Sequence, residues 1–352
     1  MPDKLIASVD DALRRRVAAV LYAMPGCGER YRFFEARDGG PLRDEEADFG
    51  FFYAPFAVGP DAGFPRLLQP CTEGDVLSAA KVADIVLPAS TCMTEYRECV
   101  SMIAERHASY GGGKTVYSRR ISDQHSVVGW GRTAFDYFGH FPDTFRFLFT
   151  TPDCGCWLGA SPELLLRRDA GDSILTTMAL AGTLRDDSAG WDAKNIEEHD
   201  YVTRFIVDTL ADFSIKAEVA PAGEVRFGSI RHLCHRITAR YSGPIVPLLN
   251  ALSPTPALSG FPRDEALRLI GEVESPRGLY GGYVGVNSPE GIRAFVNLRS
   301  VCFNPGGGYC AYAGGGITAL SDASDEWLET EAKSAVLRRC ISANCLSKTS
   351  DL

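Results

Sequence analysis

Residues 145–180, FRFLFTTPDCGCWLGASPELLLRRDAGDSILTTMAL, decide the fold class. Short apolar runs (FRFLFTT, CWLGA, ELLLRR, SILTTMAL) are separated by the turn signals Pro152-Asp153 and Asp169–Asp172, which reads as consecutive β-strands. Working outward, Phe49–Phe56 is an apolar strand ending in a turn. Gly278–Val286, Ile292–Phe303 and Tyr309–Ala313 read as closely spaced strands. Helical periodicity is expected over Val9–Tyr22, Thr94–His107 and Lys194–Phe213, where Val202, Ile206 and Leu210 recur at i, i+4 and i+8. Two more helices are expected: Asp264–Val273 after Pro262, and about Asp322–Cys340 with Ser321 or Asp322 as N-cap. Strand runs interrupted by a few long helices predict an α+β fold with antiparallel sheets rather than a βαβ repeat.

The chain has 352 residues, 45% hydrophobic and 23% charged, with a net charge of −9. That length suggests about two domains or one large composite unit, and the composition supports a packed core. The negative balance argues against nonspecific nucleic-acid binding. No run approaches the ~20 apolar residues of a membrane span, and the N-terminus makes a poor signal peptide, so a cytoplasmic protein is expected. The 11 cysteines are an odd number in a long chain, so they are read as ordinary thiols.

Several residues could carry chemistry. Glu326, Glu329 and Lys333 share one face of the last helix, and Glu197-Glu198-His199 sits early in the helix from Lys194. Glutamates from two helices could hold one Mg²⁺, although a solvated acidic face explains the same spacing. Glu163 lies at a strand–turn junction among small residues. On Ile292–Val301, strict alternation would put Phe295, Asn297 and Arg299 on one face, where a buried arginine must find an anion. Gly314-Gly315-Gly316 could offer bare N–H groups to a carboxylate.

Ten segments in fixed order give these residues a context. They are KTVYSRR (114), GASPELLLRR (159), LAGTLRD (180), KNIEEHDYV (194), RHLCHRI (231), SPTPALSGFP (253), RGLYGGYVG (277), FVNLRS (295), YAGGGI (312) and DEWLETEAK (325). Together they resemble the chorismate-utilising enzymes, and among them the isochorismate synthases. The resemblance implies the anthranilate synthase component I-like fold: two antiparallel sheets packed together, helices outside, with 1–93 as scaffold and 94–347 as the chorismate-binding catalytic region. It implies Lys114 as the base that deprotonates water and Glu163 as the acid that protonates the departing 4-hydroxyl. Glu198 and Glu329 are implied as Mg²⁺ ligands with Glu326 nearby. Arg299 with the Gly315 and Gly316 amides would clamp a substrate carboxylate. His232, Lys333, Gly182, Thr183, Ala257 and Leu258 would line the pocket.

PTPA at 254–257 and a lysine at 114 fit water addition, giving isochorismate, with menaquinone biosynthesis the expected destination and siderophore synthesis the other. The alternatives are a salicylate synthase, an amine-adding relative, or a catalytically silent chorismate-binding subunit. No glutaminase partner, membrane or nucleic acid is expected. Several positions depart from the family's usual pattern: Ser253, where many relatives have His; His235, where Thr is common; Ala313–Ile317, AGGGI where AGAGI is usual; and Glu274-Ser275-Pro276-Arg277, one residue shorter than the common EPFDR.

Overall fold

The computed structural model describes residues 2–44, 49–57, 63–71, 81–184, 190–227 and 230–346. Among them, 17 strands join by antiparallel pairing into two sheets that share one long strand, Arg32–Pro41. Its first half pairs with Ala19–Ala23 and its second half with Arg66–Pro70.

The first sheet runs Gly260–Phe261, Lys114–Asp123, Tyr309–Ile317, Ser300–Phe303, Cys156–Ser161, Phe145–Thr150, Ala19–Ala23. The second runs Arg66–Pro70, Gly50–Ala54, Tyr283–Ser288, Gly291–Val296, Leu164–Asp169, Ile174–Leu184, Ile230–Arg240. Ala217–Val219 and Gly223–Phe227 edge that last strand.

The sheets face each other across aromatic residues. Phe145 stacks on Phe295 with ring centroids 4.4 Å apart, and Phe149 meets Phe51 at 4.8 Å. On the outer face of the first sheet, Leu148, Leu158 and Ala160 pack under the helices Pro2–Arg15, Trp130–Gly139 and Ala323–Ala343. Strands covered on both sides are buried along their whole length, which is why FRFLFT is nearly continuous in hydrophobicity instead of alternating. Its one arginine, Arg146, donates from Nη2 to Gly28 O at 2.6 Å. The second sheet is covered by Ala193–Asp212, whose Val202, Ile206 and Leu210 are buried against it, and by Ile245–Leu252.

Three expectations need correction. Val9–Tyr22 is not one helix: the helix Pro2–Arg15 ends where Arg16 takes φ +54°, and Ala19–Ala23 is a fully buried strand. The Val17 N–H bonds back to Ala12 O, a Schellman-type closure that stops the helix. Gly278–Val286 becomes a strand only from Tyr283, because Gly278–Gly282 forms a turn bonded to Asn297 through Gly281 N and Gly282 O. Ile292–Phe303 is two strands, Gly291–Val296 and Ser300–Phe303, so the alternation drawn through Arg299 fails. The last helix does start after Asp322, whose carboxylate accepts the Ser324 and Asp325 N–H groups. All 11 cysteines are free thiols. No helix among the described residues is long and apolar enough to cross a membrane.

Candidate active site

The site lies where two paired strands change sheets side by side. Cys156–Ser161 belongs to the first sheet and Leu164–Asp169 to the second, and Pro162-Glu163 is the corner between them. Pro162 has no N–H to leave unpaired at the junction. The return crossing is Asn297–Arg299, between Gly291–Val296 and Ser300–Phe303, with Arg299 at φ +53°. The Val296 N–H bonds to Glu163 O at 3.0 Å and ties the two corners together. A third irregularity joins them: Ile174–Leu184 bulges after Ala181, with Gly182 at φ +72°. Three departures from regular β-structure thus open one cleft.

Glu163 is 2% exposed. Burial pushes its carboxyl up to about 8, against smaller opposing effects from a Thr255 hydrogen bond and the Lys114 charge. A carboxyl in that condition is protonated at neutral pH and can serve as a general acid. Lys114, 1% exposed, begins its strand on the same cleft and pairs with Glu198 Oε1 at 2.6 Å. Gly316 makes room for that pair, since a Cβ there would lie 2.5 Å from Glu198 Oε1 and 2.8 Å from Lys114 Cε.

Arg299 has no carboxylate within ion-pair distance among the described residues. Its Nη1 donates to Lys333 O (3.2 Å), its Nη2 reaches His232 Nε2 (3.3 Å), and its guanidinium lies 4.5 Å from the Phe227 ring centre. Burial and the Arg299 and Lys333 cations push His232 down to about 3, so it is neutral. Its Nδ1 lies 2.8 Å from Gly182 O, which can only accept. The proton therefore sits on Nδ1, and Nε2 accepts from Arg299. No described residue supplies the anion this arginine needs, which leaves that place to a ligand.

Three carboxylates gather behind the cleft, each held by a lysine: Glu198 by Lys114, Glu329 by Lys333 (2.6 Å) and Glu326 by Lys194 (2.5 Å). Glu326 also accepts from Ser321 at 2.7 Å, yet its Oε2 is buried with no partner. Burial, then the neighbouring Glu329 charge, raises the Glu326 carboxyl above its ordinary range. Burial alone would raise Glu329 too, but the adjacent Lys333 ammonium outweighs it and the group is held below that range. As the side chains stand, no three His, Cys, Asp or Glu groups among the described residues converge on one point. The donor chemistry nevertheless fits a hard divalent cation: carboxylate oxygens, one of them buried and unsatisfied.

The cleft wall brings together Lys114, Glu163, Gly182, Thr183, Glu198, His232, Ala257, Leu258, Arg299 and Lys333. Gly315 and Gly316 continue the same strand, Gly316 against Lys114 and Glu198 of the wall. A Gly315 side chain would meet Tyr96 and Glu326; Ala313 and Gly314 line the wall itself, and the Gly314 carbonyl accepts Lys333 Nζ at 2.8 Å. Sequence reasoning missed Thr255, Lys194 and the paired rings of Tyr280 and Tyr312, whose centroids are 4.9 Å apart. The RGLYGGYVG and YAGGGI segments contain both tyrosines, so a signal was present.

His235 lies three residues from His232 on one strand and faces the opposite way. It meets His199 beneath the helix, with Nδ1 and Nε2 2.8 Å apart, and does not shape the cleft. The Arg185 and Asp186 end of LAGTLRD and position 347 lie outside the described residues.

The cleft measures about 70 Å³ with Lys114 and Lys333 folded onto their carboxylates, below the roughly 300 Å³ at which small-molecule pockets begin. A larger cavity of about 620 Å³ adjoins it at Pro162 but contains none of the acid–base groups.

A buried acid and a lysine facing one cleft, with an unpaired arginine and an oxygen-rich cluster, define a catalytic pocket for an anionic substrate. The match to the chorismate binding enzyme model spans residues 78–339, and the chain belongs to that family. It is 40% identical over 204 residues to the salicylate biosynthesis isochorismate synthase of Pseudomonas aeruginosa, covering 53% of this chain and 42% of that protein. It is 30% identical over 256 residues to isochorismate synthase EntC of Escherichia coli, covering 68% of this chain and 65% of EntC. These alignments therefore span less than two thirds of the relatives' own lengths. Among solved structures it superposes on MenF, the menaquinone-specific isochorismate synthase of Escherichia coli, with a TM-score of 0.75 and 22% identity, covering 95% of this chain and 91% of that one. This likeness shows the shared fold: mixed helices and antiparallel sheets.

Proposed function

We propose that this protein is an isochorismate synthase that converts chorismate to isochorismate with Mg²⁺ bound. The observation that carries the reading is a buried Glu163 on the same cleft as Lys114, with Arg299, which has no carboxylate partner among the described residues, nearby to receive one. Lys114 takes a proton from a water that adds at C2. The ring double bond shifts, and Glu163 gives its proton to the C4 hydroxyl, which departs as water. One water enters and one leaves, so the product is an isomer. Lys114 can accept a proton only as the free amine, so its contact with Glu198 must open first.

Arg299, fixed by neutral His232 and Lys333 O, offers two-pronged N–H donation to one substrate carboxylate. Glu198, Glu329 and Glu326 would hold Mg²⁺, which supplies positive charge for the other carboxylate. That local charge explains how a chain of net charge −9 can bind a dicarboxylate. One relative is named for salicylate biosynthesis and one solved structure for menaquinone, so the destination of the product is not part of the proposal.

Incubating the protein with chorismate and Mg²⁺, then separating the products, tests this. Isochorismate is expected. Salicylate with pyruvate, an ammonia-dependent product, or no turnover would each overturn it in favour of a named alternative.

A further inference from the structure

The turn Ser253–Gly260 carries a side chain that no part of the mechanism has used. Thr255 is 2% exposed, and its Oγ1 donates to Glu163 Oε1 at 3.2 Å. Among the described residues it is the only hydrogen-bond partner of that carboxyl. The turn is rigid at this point: Thr255 O accepts the N–H groups of Leu258 and Ser259, both at 2.8 Å, and the Ser259 hydroxyl at 2.9 Å. Arg277 braces the far side by donating to Leu258 O at 2.7 Å.

A carboxylic acid has one oxygen that accepts and one that carries the proton. A hydroxyl donor on Oε1 makes that oxygen the acceptor and leaves the proton on Oε2. We propose that Thr255 is a positioning residue for the acid step: it fixes the Glu163 proton on Oε2 and stabilises the carboxylate left after transfer. The inference rests on the reading of Glu163 as the acid. The bond lies between neutral groups before transfer and becomes charge-assisted afterwards, so it strengthens as the reaction proceeds. The same asymmetry makes Glu163 a stronger acid than burial alone would allow.

The test measures kcat and KM against pH for the full chain, the T255V and T255S variants, and Glu163→Gln. Turnover requires protonated Glu163, so the rate falls as pH rises through its pKa. Removing the donor raises that pKa. Thr255→Val should lower plateau kcat by about ten- to a hundredfold, leave KM nearly unchanged, and move the alkaline limb to higher pH. Thr255→Ser should restore both. A Val variant with wild-type kcat and an unmoved limb overturns the inference. So does one in which kcat falls with the limb in place, since that marks a packing role. If the Val protein does not fold, Thr255→Ala and Thr255→Cys are read by the same criteria. An active Glu163→Gln would refute the acid assignment itself; an inactive one beside a wild-type-like Thr255→Val would refute only the role of Thr255.

Discussion

Replacing Glu163 by Gln should stabilise this protein while abolishing its turnover, and the gain should depend on pH. The buried acid is raised from 4.5 to about 8 in the folded state. Between those values the folded protein binds more protons than the unfolded chain, so wild-type stability falls as pH rises through that window. At 1.36 kcal/mol per unit, the full shift corresponds to about 5 kcal/mol above pH 8 and about 3 kcal/mol at pH 7. Gln is uncharged, nearly the same size, and can still accept from Thr255, so it avoids that term. Denaturant unfolding of both proteins at pH 5, 7 and 9 reads the difference. The variant's advantage should be small at pH 5, reach about 3 kcal/mol at pH 7, and level off above pH 8. A stability difference constant from pH 5 to 9 would show that Glu163 is not an elevated acid, and the mechanism would lose its proton donor.

Three further outcomes are expected. Arg299→Lys loses the planar fork that reaches both Lys333 O and His232 and should cost about ten- to a hundredfold in kcat/KM, mostly through KM; steady-state kinetics with chorismate checks this. Gly316→Ala places a methyl 2.5 Å from Glu198 Oε1 and should cost about 1–3 kcal/mol in stability, along with most activity; thermal melts and turnover assays measure both. Mg²⁺ at a hundred times its Kd should raise unfolding free energy by about 2.7 kcal/mol in the wild type and much less in Glu198→Gln or Glu329→Gln. Identical unfolding with Mg²⁺ and with a chelator would remove the metal from the proposal.

Much of the fold was legible because it is local. The helix Ala193–Asp212 follows from Val202, Ile206 and Leu210 on one stripe, and the strands from short β-prone runs between turn residues. Errors fell where tertiary packing overrides a local pattern. Ala19–Ala23 continues a helical period in sequence but is drawn between two strands, Arg32–Pro41 and Phe145–Thr150. At Asn297–Arg299 the chain leaves one sheet for the other, and no periodicity announces such a corner.

The candidate site divides in the same way. The residue types and their order come from the sequence, since motifs such as GASPELLLRR and KNIEEHDYV are contiguous strings. Their physical state does not. Glu163 is an acid at neutral pH because two sheets exclude water around it. Arg299 is free for a ligand because its described neighbours are a carbonyl, a neutral imidazole and an aromatic ring, with no described carboxylate within ion-pair distance. The surroundings of Gly315 and Gly316 are tertiary in the same way: Tyr96 and Glu326 beside one, Lys114 and Glu198 beside the other. Sequence by itself determined which groups are present and in what local conformations. Desolvation, ion pairing and donor direction are sums over neighbours distant in the chain, so only the tertiary structure decided what those groups can do.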